Sequence, residues 1–520
     1  MNYMRKSWRF RLPGVLIAFI ITCIGTCIGA LAQAAAPSRP KLVLAIVVDQ
    51  FRYDYLTRFR GDYHAGFDLL LTKGAVFTNA RYEHFPTVTA VGHSTFLTGA
   101  TPSMSGIVGN EWYDRESAKV VTSVSDETVQ ALGGGDGASP RRLLVSTLGD
   151  ELKIARAASK VIGISLKDRS AILPAGHMAN GAYWFDVRSG NFVSSTFYFP
   201  DLPGWVKDYN ASRPADHYRE AHWLNRALPA DVSKLYAALE ASPFGNELVE
   251  SFAERAIQAE QLGRRDSTDV LAISFSANDY VGHAQGPDSP EVKEMSIQTD
   301  VVFGKLFHFL DSTVGMGNVL VVMTGDHGVA PLPEVAVERK MPGGRMPPGI
   351  VQKTVQAALT EKYGEGKWLL TQSENTLYFN LDLIRQKKLD RAEVDRVAAD
   401  AASGIPHVFR VYTRELLASG VALEEQVARL VMNGFYGARS ADLYVLLEPY
   451  WLSQAGGTTH GTIFSYDAHV PVIFMGPGIK PGRFYRQIAV NDIAPTLATY
   501  LDVETPSGSV GRCLAEIFAE

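Results

Sequence analysis

The feature that most limits the fold is a repeated one: short, uninterrupted apolar runs that each give way at once to polar or glycine-rich residues. Lys41 to Gln50 reads K-L-V-L-A-I-V-V-D-Q. Val161 to Ser165 leads into Lys167-Asp168-Arg169, and Val270 to Phe275 into Asn278-Asp279. Val319 to Thr324 leads into Gly325-Asp326-His327-Gly328, and Val470 to Met475 into Gly476-Pro477-Gly478. Continuous rather than alternating hydrophobicity over so few residues marks a central parallel strand covered on both faces. Helical patterns lie between, notably Glu291 to Leu310, with Met295, Ile297, Val301, Val302, Leu306, Phe307 and Leu310 on its apolar face. The alternation predicts an α/β fold with a mostly parallel, doubly wound sheet and helices on both faces. Ligands bind such sheets at the carboxyl ends of the strands, so the polar residues after all five runs are expected to converge on one cleft.

At 520 residues the chain is long enough for one large α/β domain with insertions, or for two domains. The rhythm breaks from about Gly349 to Trp451. That segment reads as helix (Ile350 to Tyr363), strand (Thr376 to Asn380), helix (Arg391 to Ala402), strand (Val408 to Thr413), helix (Leu423 to Met432) and strand (Asp442 to Tyr450), an α+β insertion. Residues Glu111 to Arg141 read as a second, looser insertion near the cleft mouth. The catalytic domain is therefore expected over 41–348 and 452–520, with the insertion at 349–451. Ahead of it, residues 1–32 read as a signal peptide and 33–40 as a linker. Lys6, Arg9 and Arg11 form a basic region, Gly14 to Gly29 is apolar, and Ala30-Leu31-Ala32 offers a cleavage site. A periplasmic or secreted protein is expected, with no membrane span after cleavage; retention as an uncleaved anchor is the alternative. Cys23 and Cys27 fall in the leader, so Cys513 alone remains and no internal disulfide forms. Cys513 is expected to be a small buried residue near the end of the last helix. The formal net charge of −5, without a Lys/Arg block, argues against nucleic acid as a dedicated partner.

Chemistry-bearing residues cluster in four stretches. Phe85 to Asn110 reads F-P-T-V-T-A-V-G-H-S-T-F-L-T-G-A-T-P-S-M-S-G-I-V-G-N and places Thr87 and Thr89 on a turn where a helix can begin. A hydroxyl there sits at the positive end of a helix dipole, among unpaired N–H groups, a good position from which to attack an anion. Asp279-Tyr-Val-Gly-His283 sets a carboxylate and an imidazole one helical turn apart. Thr324-Gly-Asp326-His327-Gly328 sets the same pair side by side at a strand end, and Thr458-Thr-His460-Gly461 adds a third imidazole. With Asp49, three acids and three histidines make a donor set that suits Zn²⁺ better than a thiolate-seeking metal. His93, His177 and His469 lie beside apolar runs and are read as structural, their ring nitrogens satisfied by neighbours.

In this order the motifs resemble the alkaline phosphatase superfamily, and within it the PafA-like periplasmic phosphomonoesterases, close to the type I phosphodiesterase/nucleotide pyrophosphatase group. The resemblance runs from Lys41 to about Leu514 and includes V-V-D-Q, P-T-V-T-A-V-G-H-S-T-F-L-T-G, G-I-V-G-N, S-L-K-D-R-S-A-I-L-P-A-G-H, N-D-Y-V-G-H, T-G-D-H-G, T-x-H-G and N-D-I-A-P-T-L-A. It implies an alkaline-phosphatase-like fold with two Zn²⁺ per chain. Asp279, His283 and His460 would hold one ion; Asp49, Asp326 and His327 would hold the other, with Thr89 filling its remaining position. Thr89 would be the nucleophile that carries a phosphothreonine, with Thr87 as the fallback. Asn110, Lys167 and Arg169 would bind the non-bridging oxygens, and the Lys and Arg favour monoesters, because a dianion calls for cations beyond the metals. K-D-R after a strand is also what a solvated charge cluster looks like.

The substrates implied are small-molecule phosphate esters, acted on by a monomer. The alternatives are a phosphodiesterase or nucleotide pyrophosphatase using the same two zincs and, from another class, an exported metal-binding protein without catalysis. A sulfatase is disfavoured, since the nucleophile region lacks C/S-x-P-x-R.

Overall fold

The computed structural model of the protein describes residues 39–373, 376–420 and 425–519. The leader reading therefore lies outside the described residues. In chain order the principal strands are β1 (Leu42–Val48), β2 (Ala75–Arg81), β3 (Val161–Ser165), β4 (Gly181–Asp186), β5 (Asn191–Ser195), β6 (Asp269–Phe275), β7 (Val319–Gly325) and β8 (His469–Met475). They form one sheet in the order β2-β8-β7-β1-β6-β3-β4-β5, with short strands added at both edges. β1 pairs in parallel with β6 and β7, β6 with β3, and β3 with β4.

Every residue of β1 is buried. Leu44, Ile46 and Val48 face one core with helix residues Phe252 and Phe303. Val43, Ala45 and Val47 face another with Phe96, Leu97 and Leu497. Helices on both faces are why the strand sequence shows no alternation. The helix read from Glu291 runs Pro290–Thr313, started by Ser289, whose side chain accepts from Val292 N at 3.1 Å. Val301, assigned to its apolar face, is 39% exposed and points away from the core.

Register sets up the cleft. Val48 is level with Phe275 on one side and with Gly325 on the other, so Asp49, Ser276 and Asp326 leave the sheet abreast. One of the five runs departs from expectation. β8 is antiparallel to both β7 and β2, so it is the start of β8, His469, that lies near the cleft edge. Gly476 sits at the far end against Val319 and Leu320. An apolar run carries no mark of direction, which depends on how the connection returns.

Residues 350–447 form an antiparallel four-stranded sheet with helices Ile350–Tyr363 and Arg391–Ser403 packed on it. It has a core of its own that includes Val355, Trp368, Val394 and Val445. The strand Leu369–Ser373 and the short helices Leu381–Gln386 and Arg414–Ser419 were not foreseen. The helix read from Leu423 is Gln426–Asn433, and its expected start lies outside the described residues. Within 111–141, Ala131–Leu132 pairs with β5 and so extends the main sheet rather than standing apart from it. Cys513 is half-exposed in an irregular segment beyond the last α-helix, Ile493–Leu501, not a buried helical residue. Among the described residues no helix is long and apolar enough to cross a membrane.

Candidate active site

The four helices that matter here are α1 (Thr89–Thr98), α2 (Asp168–Ala175), α3 (Ala277–Gln285) and α4 (Pro290–Thr313). Asp49 follows β1, and its Oδ1 lies 3.5 Å from His327 Nε2. Asp326 Oδ2 approaches the same nitrogen at 3.2 Å. α3 begins just past β6, and one turn separates Asp279 from His283, whose Oδ1 and Nε2 lie 3.1 Å apart. His460 arrives on the loop before β8; its Nε2 is 3.8 Å from Asp279 Oδ1, and its ring stacks on His327 at 3.5 Å. Among the described residues, two groups have ligand atoms within 4.8 Å of one another: Asp279 with His283 and His460, and Asp49 with Asp279 and His327. Asp279 thus stands between both groups, whereas the sequence reading gave it to one. Asp326, read as a partner of Asp49 and His327, is in contact with His327.

The donor chemistry fits a metal. His283 Nδ1 is 2.7 Å from Thr458 O, His327 Nδ1 2.9 Å from Gly328 O, and His460 Nδ1 2.9 Å from Thr87 O. A carbonyl only accepts, so each Nδ1 carries the hydrogen, and in the neutral ring Nε2 presents its lone pair inward; burial lowers His283, but Asp279 more than offsets this and raises it. Among the described residues the buried oxygens Asp49 Oδ1 and Asp326 Oδ2 have no hydrogen-bond partner. Burial lowers His327 to about 3, so its Nε2 does not offer a proton to them. His460 is held well below the ordinary imidazole value by burial and by His327 and His283. Unprotonated nitrogens facing unpaired carboxylate oxygens make a site for a cation. Burial pushes Asp279 up, but Lys167 and His283 more than reverse this and hold it well below the usual carboxylate range. Asp326 goes the other way, raised by burial and by Asp49.

Thr89 is the first residue of α1, all ten residues of which are buried. Its Oγ1 lies 3.3 Å from His327 Nε2. Thr87 Oγ1 is already committed, donating to Thr462 O at 2.7 Å. Gly92 makes this approach feasible: a Cβ there would lie 2.2 Å from Asp326 O. Asn110 Oδ1 accepts from Ala90 N at 2.9 Å. Lys167 Nζ lies 2.7 Å from Asp49 Oδ2 and 2.6 Å from Asp279 Oδ2, buried between the two groups. Arg169 is only loosely paired, its Nη1 3.7 Å from Asp168 Oδ1, and its buried Nε has no partner among the described residues.

The family of type I phosphodiesterases / nucleotide pyrophosphatases matches residues 43–465. The chain belongs to that family. Within the family it is 36% identical to the alkaline phosphatase PhoV of Synechococcus elongatus, over 92% of this chain and 93% of PhoV. It is equally identical to the alkaline phosphatase PafA of Elizabethkingia meningoseptica, over 98% of this chain and 99% of PafA. The crystal structure of wild-type PafA superposes with a TM-score of 0.87 at 36% identity, covering 93% of this chain and 100% of PafA. A solved PafA mutant, TM-score 0.87, 35% identical and covering 93% of this chain and 100% of its own, is substituted at one Thr, one Asn, one Lys and one Arg. Their separations in sequence equal those from Thr89 to Asn110 and from Lys167 to Arg169.

In this member of the family, the sequence reading passed over residues that hold the ligands in place. Gln50 donates from its backbone N to Asp326 Oδ1 at 3.0 Å and from Nε2 to Asp279 Oδ1 at 2.6 Å. Its φ of 58° places a non-glycine residue in left-handed backbone beside the site. Asp467 Oδ2 accepts from Thr462 N at 2.8 Å and from Thr462 Oγ1 at 2.6 Å. Thr462 is bonded to Thr87, and Thr87 to His460, so Asp467 anchors the chain of contacts that orients that imidazole. The only signal was a lone acid just before an apolar run. The structural readings of three histidines agree with their contacts. His93 pairs with Thr89 O and Ser274 Oγ, His177 with Leu143 O and Asp150, and His469 with Thr78 O.

Proposed function

We propose that this chain is an exported, zinc-dependent alkaline phosphatase that hydrolyses phosphate monoesters of small molecules through a phosphothreonine at Thr89. The carrying observation is the pair of cations beyond the ligand set: Lys167, buried between the two groups, and Arg169, with a buried, unpartnered Nε. A dianionic monoester needs such donors in addition to a metal, and a diester needs them less. The relatives named alkaline phosphatases support the same reading.

Thr89 Oγ1 sits at the N-terminus of a buried helix, where the dipole favours an incoming anion. Asn110 Oδ1 is held by Ala90 N, which leaves its Nδ2 to donate to a non-bridging oxygen. Arg169 offers the fork of donors that a phosphoryl group accepts from, and Lys167 offsets its remaining charge. The two groups around Asp279 would each hold a Zn²⁺, which supplies an activated Thr89 oxygen at neutral pH and stabilises the departing oxygen. Export rests on the leader, and monomeric state on the sequence reading.

The test is steady-state hydrolysis of a phosphate monoester and a matched diester by the zinc-loaded protein and by the Lys167→Ala/Arg169→Ala double variant. A monoester preference that collapses in the double variant supports the proposal. A diester preference indifferent to both residues would move the chain to the phosphodiesterase reading.

A further inference from the structure

The apolar runs of β3 and β6 each include one serine, Ser165 and Ser274, and the two stand abreast in the sheet. Ser276 follows β6 directly and leads into α3. All three are buried, as is His93 of α1. Burying a hydroxyl costs free energy unless it is hydrogen-bonded, and alanine would occupy each position without that cost. The serines are therefore accounted for by what they bond.

His93 Nδ1 donates to Thr89 O at 2.9 Å, one turn back along α1, and the same nitrogen lies 3.3 Å from Asp326 Oδ2. His93 Nε2 is 2.8 Å from Ser274 Oγ. Ser274 Oγ is 3.4 Å from Ser276 Oγ, which is 3.0 Å from Ser165 Oγ. Ser165 Oγ accepts from Lys167 N at 3.2 Å. The contacts thus cross from α1 over β6 to β3, joining the backbone of Thr89 to the backbone of Lys167. They meet Thr89 at its carbonyl and Lys167 at its amide, so they hold the two residues in place and pass no proton to Thr89 Oγ1.

What such a chain sets is spacing. Thr89 opens α1, and Lys167 is the extended residue before α2, so nothing local to either fixes their separation. A misplacement of about 1 Å between reacting groups can cost about a hundredfold in rate. Resting on the monoesterase reading, we propose that His93, Ser274, Ser276 and Ser165 are positioning residues, a buried hydrogen-bonded chain that fixes Lys167 relative to Thr89. Ser165 and Ser276 act on the cation side; His93 and Ser274 act on the nucleophile side.

The experiment measures kcat/KM of the zinc-loaded protein on a phosphate monoester and a matched diester, for wild type, Ser165→Ala, Ser276→Ala, the double variant of these two, and Ser274→Ala. Ser165→Ala and Ser276→Ala are each expected to lower the monoester value about tenfold and to leave the diester value within about twofold, since a diester depends less on Lys167. The double variant should lose no more than either single one, because both substitutions part the same chain. Ser274→Ala, which frees His93, should lower both esters together. Equal losses on both esters in Ser165→Ala and Ser276→Ala, additive losses in the double variant, or unchanged values throughout would overturn the positioning chain and leave the monoesterase reading standing. Turnover of the diester with none of the monoester by the wild type would overturn the monoesterase reading itself, and this one with it.

Discussion

Thr89 and Thr87 look alike in sequence, and their contacts separate them. Thr87 spends its hydroxyl on Thr462 O, while Thr89 faces His327 from the end of a buried helix. Thr89→Ala should therefore lose at least about 10³-fold in kcat, and Thr87→Ala far less, read from the steady-state rate on one monoester. Thr89→Ser keeps the hydroxyl and should retain much of the activity. Lys167 and Arg169 act at the same scale. Removing both should cost monoester kcat/KM at least about 10²-fold and leave diester hydrolysis within a small factor, measured on the same preparations. Asp467 does not line the cleft beside His283 and His460, and its effect is expected on the metal. Asp467→Ala should weaken metal retention by about 10–100-fold, read as the chelator concentration that strips half the bound metal, because it releases the contacts that orient His460.

Among the elements, α1 packs directly on the end of β7. Gly92→Ala places a methyl group against the Asp326 carbonyl, an overpacking expected to destabilise by about 1–3 kcal/mol in denaturant unfolding and to shift Thr89 as well. The helix Leu148–Ala155 offers a pH-dependent counterpart far from the metal ligands. Asp150 closes its capping box, and His177 bonds to the same carboxylate. That hydrogen bond raises the His177 pKa against the opposing effect of burial. A group raised on folding stabilises fully below its unfolded value, about 6.5, and ceases to do so as pH climbs through the folded value. The melting-temperature gap between wild type and His177→Asn should thus be present at pH 5.5 and shrink by pH 9. With 35% of the ring side chain exposed, the effect should be about 1 kcal/mol or less.

For the whole molecule the decisive quantity is how much folding depends on the cation. Asp49, Asp279, Asp326 and His327 are buried together at the edge of the main sheet, with two carboxylate oxygens unpartnered, so metal binding and stability are linked. Chelation should abolish activity and lower the melting temperature, equivalent to about 2.7 kcal/mol for each site held at a hundred times its Kd, and Zn²⁺ should restore both. A chelated protein with unchanged melting temperature would show that the acids are accommodated without a cation. Much of this architecture was legible in the chain itself. Runs such as Leu42 to Val48 are apolar throughout because both faces are covered, and that property is local enough to read from spacing. Asp49, Asp279, His283, Asp326, His327 and His460 stand out for the same reason, since each follows a strand or sits in a glycine-rich loop. The sequence by itself therefore determined the sheet, its covering on both faces and the residue types at its carboxyl edge, because periodicity and turn chemistry act between near neighbours. Only the tertiary structure decided that β8 runs antiparallel, that Asp279 reaches both ligand groups, that Lys167 lies between the carboxylates and that Asp467 steadies His460. Direction, sharing and second contacts depend on residues far apart in the chain, brought within bonding distance only when the sheet and its loops close over one another.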